Sequence, residues 1–123
     1  MSSRRMGLGR RGEELAACEL ARRGYRIVER NWRCQAGEVD IVSRHREVWV
    51  FVEVRTRRGS ALGTPEESLT PAKQARMITV AQHYLVEHDL GDVDWRLDVV
   101  AVEMDRAGRL TRLEVLENAV EGR

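Results

Sequence analysis

The sequence predicts a single α/β domain in which a central β-sheet of mixed strand direction is flanked by helices. Segments with helical periodicity and segments rich in β-branched residues alternate in the order αβββαββ. The 123 residues contain no repeat, linker or low-complexity tract, and their number suits one hydrophobic core. We therefore treat residues 1–123 as one domain and expect residues 1–8 to form a flexible basic N-terminal segment.

The first half of the chain predicts one helix and three strands. An Ala- and Leu-rich stretch from Gly12 to Arg23 favours a helix, and Gly24 is placed to end it. Three strands are predicted to follow, at residues 25–32, 38–43 and 48–55. The last strand (VWVFVEVR) is β-branched or aromatic almost throughout, and a short hairpin connection precedes it.

The second half predicts a loop, a helix and two more strands. The loop spans residues 57–69, and Thr70 and Pro71 then begin a helix, because Thr is a favoured N-cap and Pro a favoured first helical residue. A stripe at helical spacing is expected to face the core: Met77, Ile78, Val80, Ala81, Tyr84 and Leu85. The final strands are predicted at 95–104 and 109–116.

The composition excludes several classes of protein. No apolar run approaches the roughly 20 residues that a membrane helix needs, and the N-terminal residues lack the apolar region of a secretory signal. Cys18 and Cys34 cannot form a disulfide framework, so we expect a cytoplasmic protein with both thiols in or near the core. The chain has no zinc-ligand spacing, Walker loop or nucleophile elbow.

The net charge of +1 hides an uneven distribution. Residues 1–58 carry 14 Arg against 8 acidic residues, whereas residues 59–123 carry 7 basic against 12 acidic residues. The basic half could form a local face that attracts phosphate, or it could be an ordinary solvated surface. Of the 21 basic residues only Lys73 is a lysine.

Two carboxylates stand where apolar residues are expected. Alternation along 48–55 puts Glu53 and Arg55 on the same face as Trp49 and Phe51. Charges at the end of a buried strand must be paired or must coordinate a metal, and a simple Glu53–Arg55 ion pair remains an alternative.

The preceding strand brings a second acid to this place. Alternation puts Glu38 and Asp40 on one face and Val39 and Ile41 on the other, so a hairpin can set Asp40 opposite Glu53. Two adjacent carboxylates repel unless a cation lies between them, and a hard ion such as Mg²⁺ suits oxygen ligands. Such an ion can activate water and stabilise charge on a phosphate.

Two further residues could reach the same site. Helix phase places Glu13 beside Ala16 and Leu20, where it would point inward, although a solvent-exposed glutamate at a helix N-terminus is the alternative. Lys73 extends the core stripe by one turn toward the helix start and could face the site, or its side chain could reach past the core into solvent.

These motifs together resemble a known family. G-E-V-D at 37–40 followed by V-F-V-E-V-R at 50–55 resembles the D…E-x-K element of PD-(D/E)XK nucleases. Five further motifs accompany this element: G-x-x-G-E at 9–13, R-G-Y-R-I at 23–27, R-N-W-R at 30–33, the Lys73 helix and R-L-D-V-V at 96–100. Together they resemble the bacterial YraN-like family, which is similar to Holliday-junction resolvases. The resemblance implies a restriction-endonuclease-like core.

The resemblance also implies residue roles. Asp40 and Glu53 match the metal-binding acids, Glu13 matches a helix-borne glutamate of resolvase-like members, and the carbonyl of Val54 could assist. Arg55 stands where the motif has lysine; because arginine stays charged, it can stabilise phosphate but cannot accept a proton.

The leading hypothesis is therefore a Mg²⁺- or Mn²⁺-dependent endonuclease acting on DNA rather than RNA, with branched or structured DNA as a candidate substrate. Basic residues would hold the phosphate backbone: Arg4, Arg5, Arg10, Arg11, Arg30, Arg33, Arg57, Arg58 and Lys73. No membrane partner is expected, and a homodimer would suit a two-strand cutter. The alternatives are a nucleic-acid-binding module with little catalysis and a protein-interaction domain whose acids form structural ion pairs.

Overall fold

Two helices cover opposite faces of a five-stranded sheet in the computed structural model, which describes residues 7–59, 61 and 63–121. The helices are α1 (Leu8–Arg22) and α2 (Pro71–Glu87). The strands are β1 (Arg26–Cys34), β2 (Gly37–His45), β3 (Val48–Arg58), β4 (Trp95–Met104) and β5 (Leu110–Leu116). They lie in sequence order, with β3 and β4 parallel and the other neighbours antiparallel. The predicted αβββαββ order and the mixed sheet are confirmed.

Strand β3 divides the core between the two faces as its alternation predicts. Val50 and Val52 are fully buried on the side of α1, together with Leu20 of that helix. Phe51 is fully buried on the side of α2, where its ring meets that of Tyr84 edge-on at 5.5 Å. Both faces are therefore covered, and a polar side chain on β3 enters the interior on either side.

Helix α2 begins and packs as predicted. The Thr70 Oγ1 accepts a hydrogen bond from the Lys73 N–H at 3.2 Å, and Pro71 is the first helical residue. The predicted stripe faces the sheet: its later members are buried and the earlier pair, Met77 and Ile78, packs partly against the same core. The first turns of α2 thereby lie beside the start of β2 and the later part of β3.

Helix α1 starts at Leu8, four residues before the predicted start, and includes Arg10 and Arg11. Of the expected N-terminal segment, residues 1–6, with Arg4 and Arg5, lie outside the described residues. The helix ends as predicted: Gly24 has a φ of 93°, and the N–H of Tyr25 donates to the carbonyl of Leu20 at 2.9 Å.

Strand β2 departs from simple alternation at Asp40. Val39 packs into the core on the α2 side, whereas Ile41 packs on the α1 side, so the prediction that they share a face is wrong. The β2–β3 pairing begins only at Ile41 and Val52. In the β1–β2 pairing, Arg30 lies opposite Ile41 and Trp32 opposite Val39, so Asn31 lies opposite Asp40. Asn31 has a positive φ of 54°. The backbone is irregular in both strands at this level, and Asp40 stays on the α2 side.

The two cysteines differ in environment. Cys34 is partly buried beside the α2-side core, as expected, but Cys18 is exposed on α1, so its predicted place in or near the core is wrong. Neither helix among the described residues has the length and apolar character needed to cross a membrane.

Gly12 allows α1 to approach β3 closely, and we predict that Gly12→Ala destabilises the protein. A Cβ at this position would lie 1.9 Å from Thr56 Oγ1, so the helix or the strand must shift. Overpacking of this kind costs about 1–3 kcal/mol. Thermal unfolding should show a lower Tm for Gly12→Ala, and Thr56→Ala should restore part of the loss.

Gly9→Ala is the matched control in the same helix. No atom lies within 4 Å of a Cβ added there, so the substitution should be neutral or stabilise by up to about 1 kcal/mol. Equal destabilisation by both substitutions would contradict a steric role of Gly12.

Candidate active site

Asp40 and Glu53 line one pocket of about 260 Å³ between the sheet and the start of α2. Its lining combines carboxylates from β2 and β3 with cations from β3 and α2: Gly37, Glu38, Asp40, Glu53, Arg55, Lys73, Arg76 and Met77. The structure thus brings together Asp40, Glu53, Arg55 and Lys73 as the sequence predicted. Glu38 and Arg76 complete the lining, although the sequence argument had given them no role at the site.

The Asp40 carboxylate takes the place of a backbone acceptor. Its Oδ2 accepts a hydrogen bond from the N–H of Val54 at 2.8 Å, just beyond the last β2–β3 pair at Ile41 and Val52. The side chain of Val54 packs on the other face, against the α1-side core. Asp40 is thereby fixed across from Glu53 by the main chain of β3.

Negative charge is unfavourable in this pocket. Burial raises the pKa of Asp40 to about 8, and the neighbouring Glu53 carboxylate adds to the effect. Burial likewise raises the pKa of Glu53, although Arg55 acts in the opposite direction. A bound cation would reverse both effects, because it would favour the ionised carboxylates.

Arg55 forms hydrogen bonds with two side chains, Glu53 on its own strand and Ser68 in the following loop. Its Nη1 donates to Glu53 Oε2 at 3.2 Å, and its Nε donates to Ser68 Oγ at 2.9 Å. The side chains of Glu53 and Arg55 are 19% and 24% exposed, so this ion pair is partly shielded from solvent. The Glu53–Arg55 ion pair, one of the two predicted alternatives, is present, and Arg55 has a second partner in Ser68 that no sequence pattern indicates.

The loop that carries Ser68 is anchored from β5. Ser68 ends a short 3₁₀ turn, Glu66–Ser68, and its hydroxyl donates to the carbonyl of Pro65 at 2.6 Å. Glu66 receives two hydrogen bonds from Arg112, at 3.1 and 2.8 Å. Arg112 lowers the pKa of Glu66 and so keeps it ionised. The position of Arg55 therefore depends on a residue of the last strand.

Glu13 reaches the site indirectly, through Asn31. The Asn31 amide nitrogen donates to Glu13 Oε1 and to Glu38 Oε2, both at 3.0 Å. Glu13 is partly buried, and its charge contributes to the raised pKa of Asp40. It is therefore turned toward the site, not fully into solvent. Asn31 was missed; an asparagine tolerates the positive φ that this position requires.

The donor atoms suit a hard cation, but they are not gathered around one point. Among residues 7–59, 61 and 63–121, no three His, Cys, Asp or Glu side chains are arranged so that they could hold a metal ion. Glu53 faces Arg55, and Glu13 faces the amide of Asn31. Carboxylate oxygens are what Mg²⁺ and Mn²⁺ prefer. Coordination by all three acids would require Glu53 and Glu13 to exchange these partners for the metal.

The basic residues predicted to contact nucleic acid fall into two groups. Arg30 pairs with Glu14 at 3.2 Å and Arg33 with Glu38 at 3.5 Å, so both are engaged within the protein. The remainder have no ion pair among the described residues: Arg10 and Arg11 on α1, Arg57 and Arg58 at the end of β3, and Lys73 on α2. No carboxylate among the described residues neutralises these five cations, although Lys73 Nζ donates a hydrogen bond to the carbonyl of Ser68 at 3.5 Å.

Comparison with known proteins identifies relatives along nearly the whole chain. The family model described as "Uncharacterised protein family UPF0102" matches residues 12–102, which include Glu13, Asp40, Glu53, Arg55 and Lys73. A UPF0102 protein of Roseiflexus castenholzii is 49% identical over 122 residues, which are 98% of each chain. A UPF0102 protein of Moorella thermoacetica is 45% identical over 119 residues, 97% of this chain and 99% of that one.

We predict that Asp40→Asn stabilises the metal-free protein at alkaline pH. Because the folded-state pKa of Asp40 is raised from 3.8 to about 8, the folded protein binds more protons than the unfolded chain between these values. The stability that protonated Asp40 contributes is full below about pH 4 and is lost as the pH rises through about 8. Asparagine cannot ionise, so the variant avoids this loss of stability. Its side-chain oxygen can still accept the hydrogen bond from the N–H of Val54.

The measurement is the Tm in EDTA from pH 5 to pH 9. The Tm difference between Asp40→Asn and wild type should grow with pH, and a gain of about 1 kcal/mol corresponds to roughly 4 °C for a domain of this size. A Tm difference that is independent of pH would refute the raised pKa.

Proposed function

The chain belongs to the UPF0102 family, and from the residues of its own site we propose that it is a metal-dependent endonuclease that hydrolyses phosphodiester bonds in DNA. The single observation that carries the proposal is the pocket in which Asp40 and Glu53, both with raised pKa values, lie among cations. Carboxylates that are costly to ionise alone are suited to a divalent cation, and the surrounding cations are suited to phosphate.

The proposed metal ligands are Asp40 and Glu53, with Glu13 as a third acid and the carbonyl of Val54 as a further oxygen. Mg²⁺ or Mn²⁺ would activate water for attack on phosphorus and stabilise the charge that develops on the phosphate. The Val54 N–H holds Asp40 in place by its hydrogen bond to the carboxylate. Asn31 holds Glu13 within reach of the same site.

The proposed phosphate contacts are Arg55, Lys73 and Arg76, which line the pocket beside the acids. Because arginine is not a proton acceptor in proteins, the proposed role of Arg55 is to stabilise phosphate charge. Binding of a phosphate by Arg55 would also weaken its hold on Glu53 and leave that carboxylate free for the metal.

The resemblance to PD-(D/E)XK nucleases supports the same reaction. Asp40 at the irregular point of β2 and Glu53 on β3 occupy the motif positions, and the mixed sheet with helices on both faces suits a restriction-endonuclease-like core. Branched or otherwise structured DNA is the proposed substrate, by analogy with the resolvases.

A second candidate is a nucleic-acid-binding module with little catalysis. The observation in its favour is the Glu53–Arg55 ion pair, which occupies a carboxylate that the metal would need. The two candidates differ in whether Glu53 can leave Arg55 when metal and phosphate are present.

We predict metal-dependent cutting that Glu53→Ala abolishes and Arg55→Lys leaves unchanged or increases. Loss of Glu53 removes a metal ligand and leaves Arg55 without its carboxylate, whereas lysine retains the cation and can also lose its proton. The measurement is cleavage of junction, flap, single-stranded and duplex DNA, and of RNA, with Mg²⁺, Mn²⁺ or EDTA.

Glu47→Gln is the control for this panel, since Glu47 is an exposed carboxylate in the β2–β3 turn, at the far end of β3 from Arg55. Activity that persists in Glu53→Ala would exclude this site as its source. Absence of cutting by both wild type and Arg55→Lys, with salt-sensitive DNA binding retained, would establish the binding module instead.

We also predict that Mg²⁺ or Mn²⁺ raises the Tm of the wild-type protein in the absence of DNA. A ligand that binds only the folded state stabilises it by about 2.7 kcal/mol at a hundred times its Kd. Asp40→Asn and Glu53→Gln should lose most of this increase, and Glu47→Gln should keep it. Equal increases in all four proteins would show that the ions bind elsewhere.

A further inference from the structure

A second and larger groove, of about 880 Å³, adjoins the acidic pocket and shares Arg55 with it. Its walls come from the end of β3 and the loop after it, from Ser68, from the end of β4, the β4–β5 turn and the start of β5, and from the first residue of α1. Because Arg55 lines both spaces, a strand whose phosphate contacts Arg55 at the acids has this groove on the other side of that residue.

Four arginines line this groove: Arg55, Arg57 and Arg58 of β3, and Arg106 of the β4–β5 turn. Arg11 of α1 approaches Arg58: Arg11 Nη1 and Arg58 Nη2 lie 3.3 and 3.5 Å from the point where a Cβ on Gly108 would begin. Guanidinium groups that converge in this way repel each other unless an anion lies between them.

Three of the cations at or beside the groove have no carboxylate partner in the part of the chain that the structure describes. Within residues 7–59, 61 and 63–121, Arg11, Arg58 and Arg106 form no ion pair. The acids in the lining are already engaged, Glu103 with Arg112 and Asp105 with Arg109 at 2.9 Å. The groove therefore has an uncompensated positive charge, and a phosphate is its natural complement.

The groove also offers apolar surface to its occupant. The exposed Ala61 and the partly buried Leu8 contribute apolar surface to its lining, and Met104 lies almost fully buried beside them. Its volume lies within the range of about 300–1,000 Å³ found for pockets that enclose compact ligands. A nucleotide combines a phosphate with the apolar face of a base, and that face is accessible only when the base is not stacked in a duplex.

We propose that this groove binds unpaired nucleotides of a DNA strand next to the phosphate that meets Arg55, with Arg11, Arg58 and Arg106 as the backbone contacts. The substrate is then DNA with a single-stranded segment beside the cut. The location of the cut rests on the function proposed above, whereas single-strand binding by the groove does not.

The test is the binding of fluorescein-labelled oligothymidylate and of a blunt duplex, measured by fluorescence anisotropy in EDTA over a range of salt concentrations. Each phosphate contact to a single strand contributes about 0.7 to the slope of log K against log salt. For Arg58→Ala/Arg106→Ala we expect oligothymidylate binding to weaken by roughly tenfold at low salt and the slope to decrease in magnitude by about 1.4. We expect the blunt duplex to bind more weakly than the single strand.

Arg26→Ala/Arg46→Asn is the matched control. It removes the same charge from two exposed arginines near the β2–β3 turn, away from the groove, and asparagine tolerates the positive φ of 59° at position 46. This control should bind like wild type. Equal losses in both double variants, an unchanged slope in Arg58→Ala/Arg106→Ala, or equal binding of duplex and single strand would overturn the proposal.

Cleavage in Mg²⁺ of duplexes with and without a single-stranded tail separates this inference from the proposed function. If wild type does not cut but Arg58→Ala/Arg106→Ala loses single-strand binding as expected, the endonuclease proposal fails and the groove assignment holds. If wild type cuts both duplexes equally and the double variant cuts like wild type, the groove assignment fails and the endonuclease proposal holds.

Discussion

The hydrogen bonding between β2 and β3 stops at Ile41 and Val52, and the site depends on what replaces it. The next N–H, that of Val54, is satisfied by the carboxylate of Asp40 and not by a main-chain carbonyl. This places an ionisable group inside a sheet that is packed on both faces, where ionisation is unfavourable. Because the main chain of β3 holds Asp40, the carboxylate cannot relieve the cost by turning into solvent. The stability lost there is offset by the apolar packing around Val50 and Phe51, both fully buried.

Much of the fold and part of the site could be predicted, since the signals are local. The period of two along β3 predicted that Glu53 and Arg55 share the face of Phe51, and helical spacing predicted the buried stripe of α2. The early start of α1 was missed because its glycines lower helix propensity, while packing against β3 requires one of them, Gly12. The orientation of Val39 toward α2 could not be predicted, because the alternation of residue types does not reveal an irregularity in the strand backbone.

Other parts of the site depend on contacts between residues distant in sequence, which no local pattern encodes. Ser68 is thirteen residues from Arg55, and Arg112 is forty-six residues from Glu66. Arginine at position 55 is suited to these contacts. A planar guanidinium reaches Glu53 and Ser68 at once, through two different nitrogens, whereas an ammonium is a single point on a flexible chain. The 3₁₀ turn therefore holds Arg55 through Ser68 and keeps its guanidinium beside Glu53.

The parallel pairing of β3 with β4 has a consequence for how the protein folds during synthesis. The parallel pairing runs from Trp49 and Trp95 to Arg58 and Met104. The central strand β3 is therefore held by β4, a strand that is synthesised much later. A parallel neighbour can be reached only through the crossover that contains α2, and closing so long a connection is entropically costly. During synthesis the acids of β2 and β3 therefore emerge before the elements that shape their pocket. The nascent chain cannot present an assembled site until most of its length has been made.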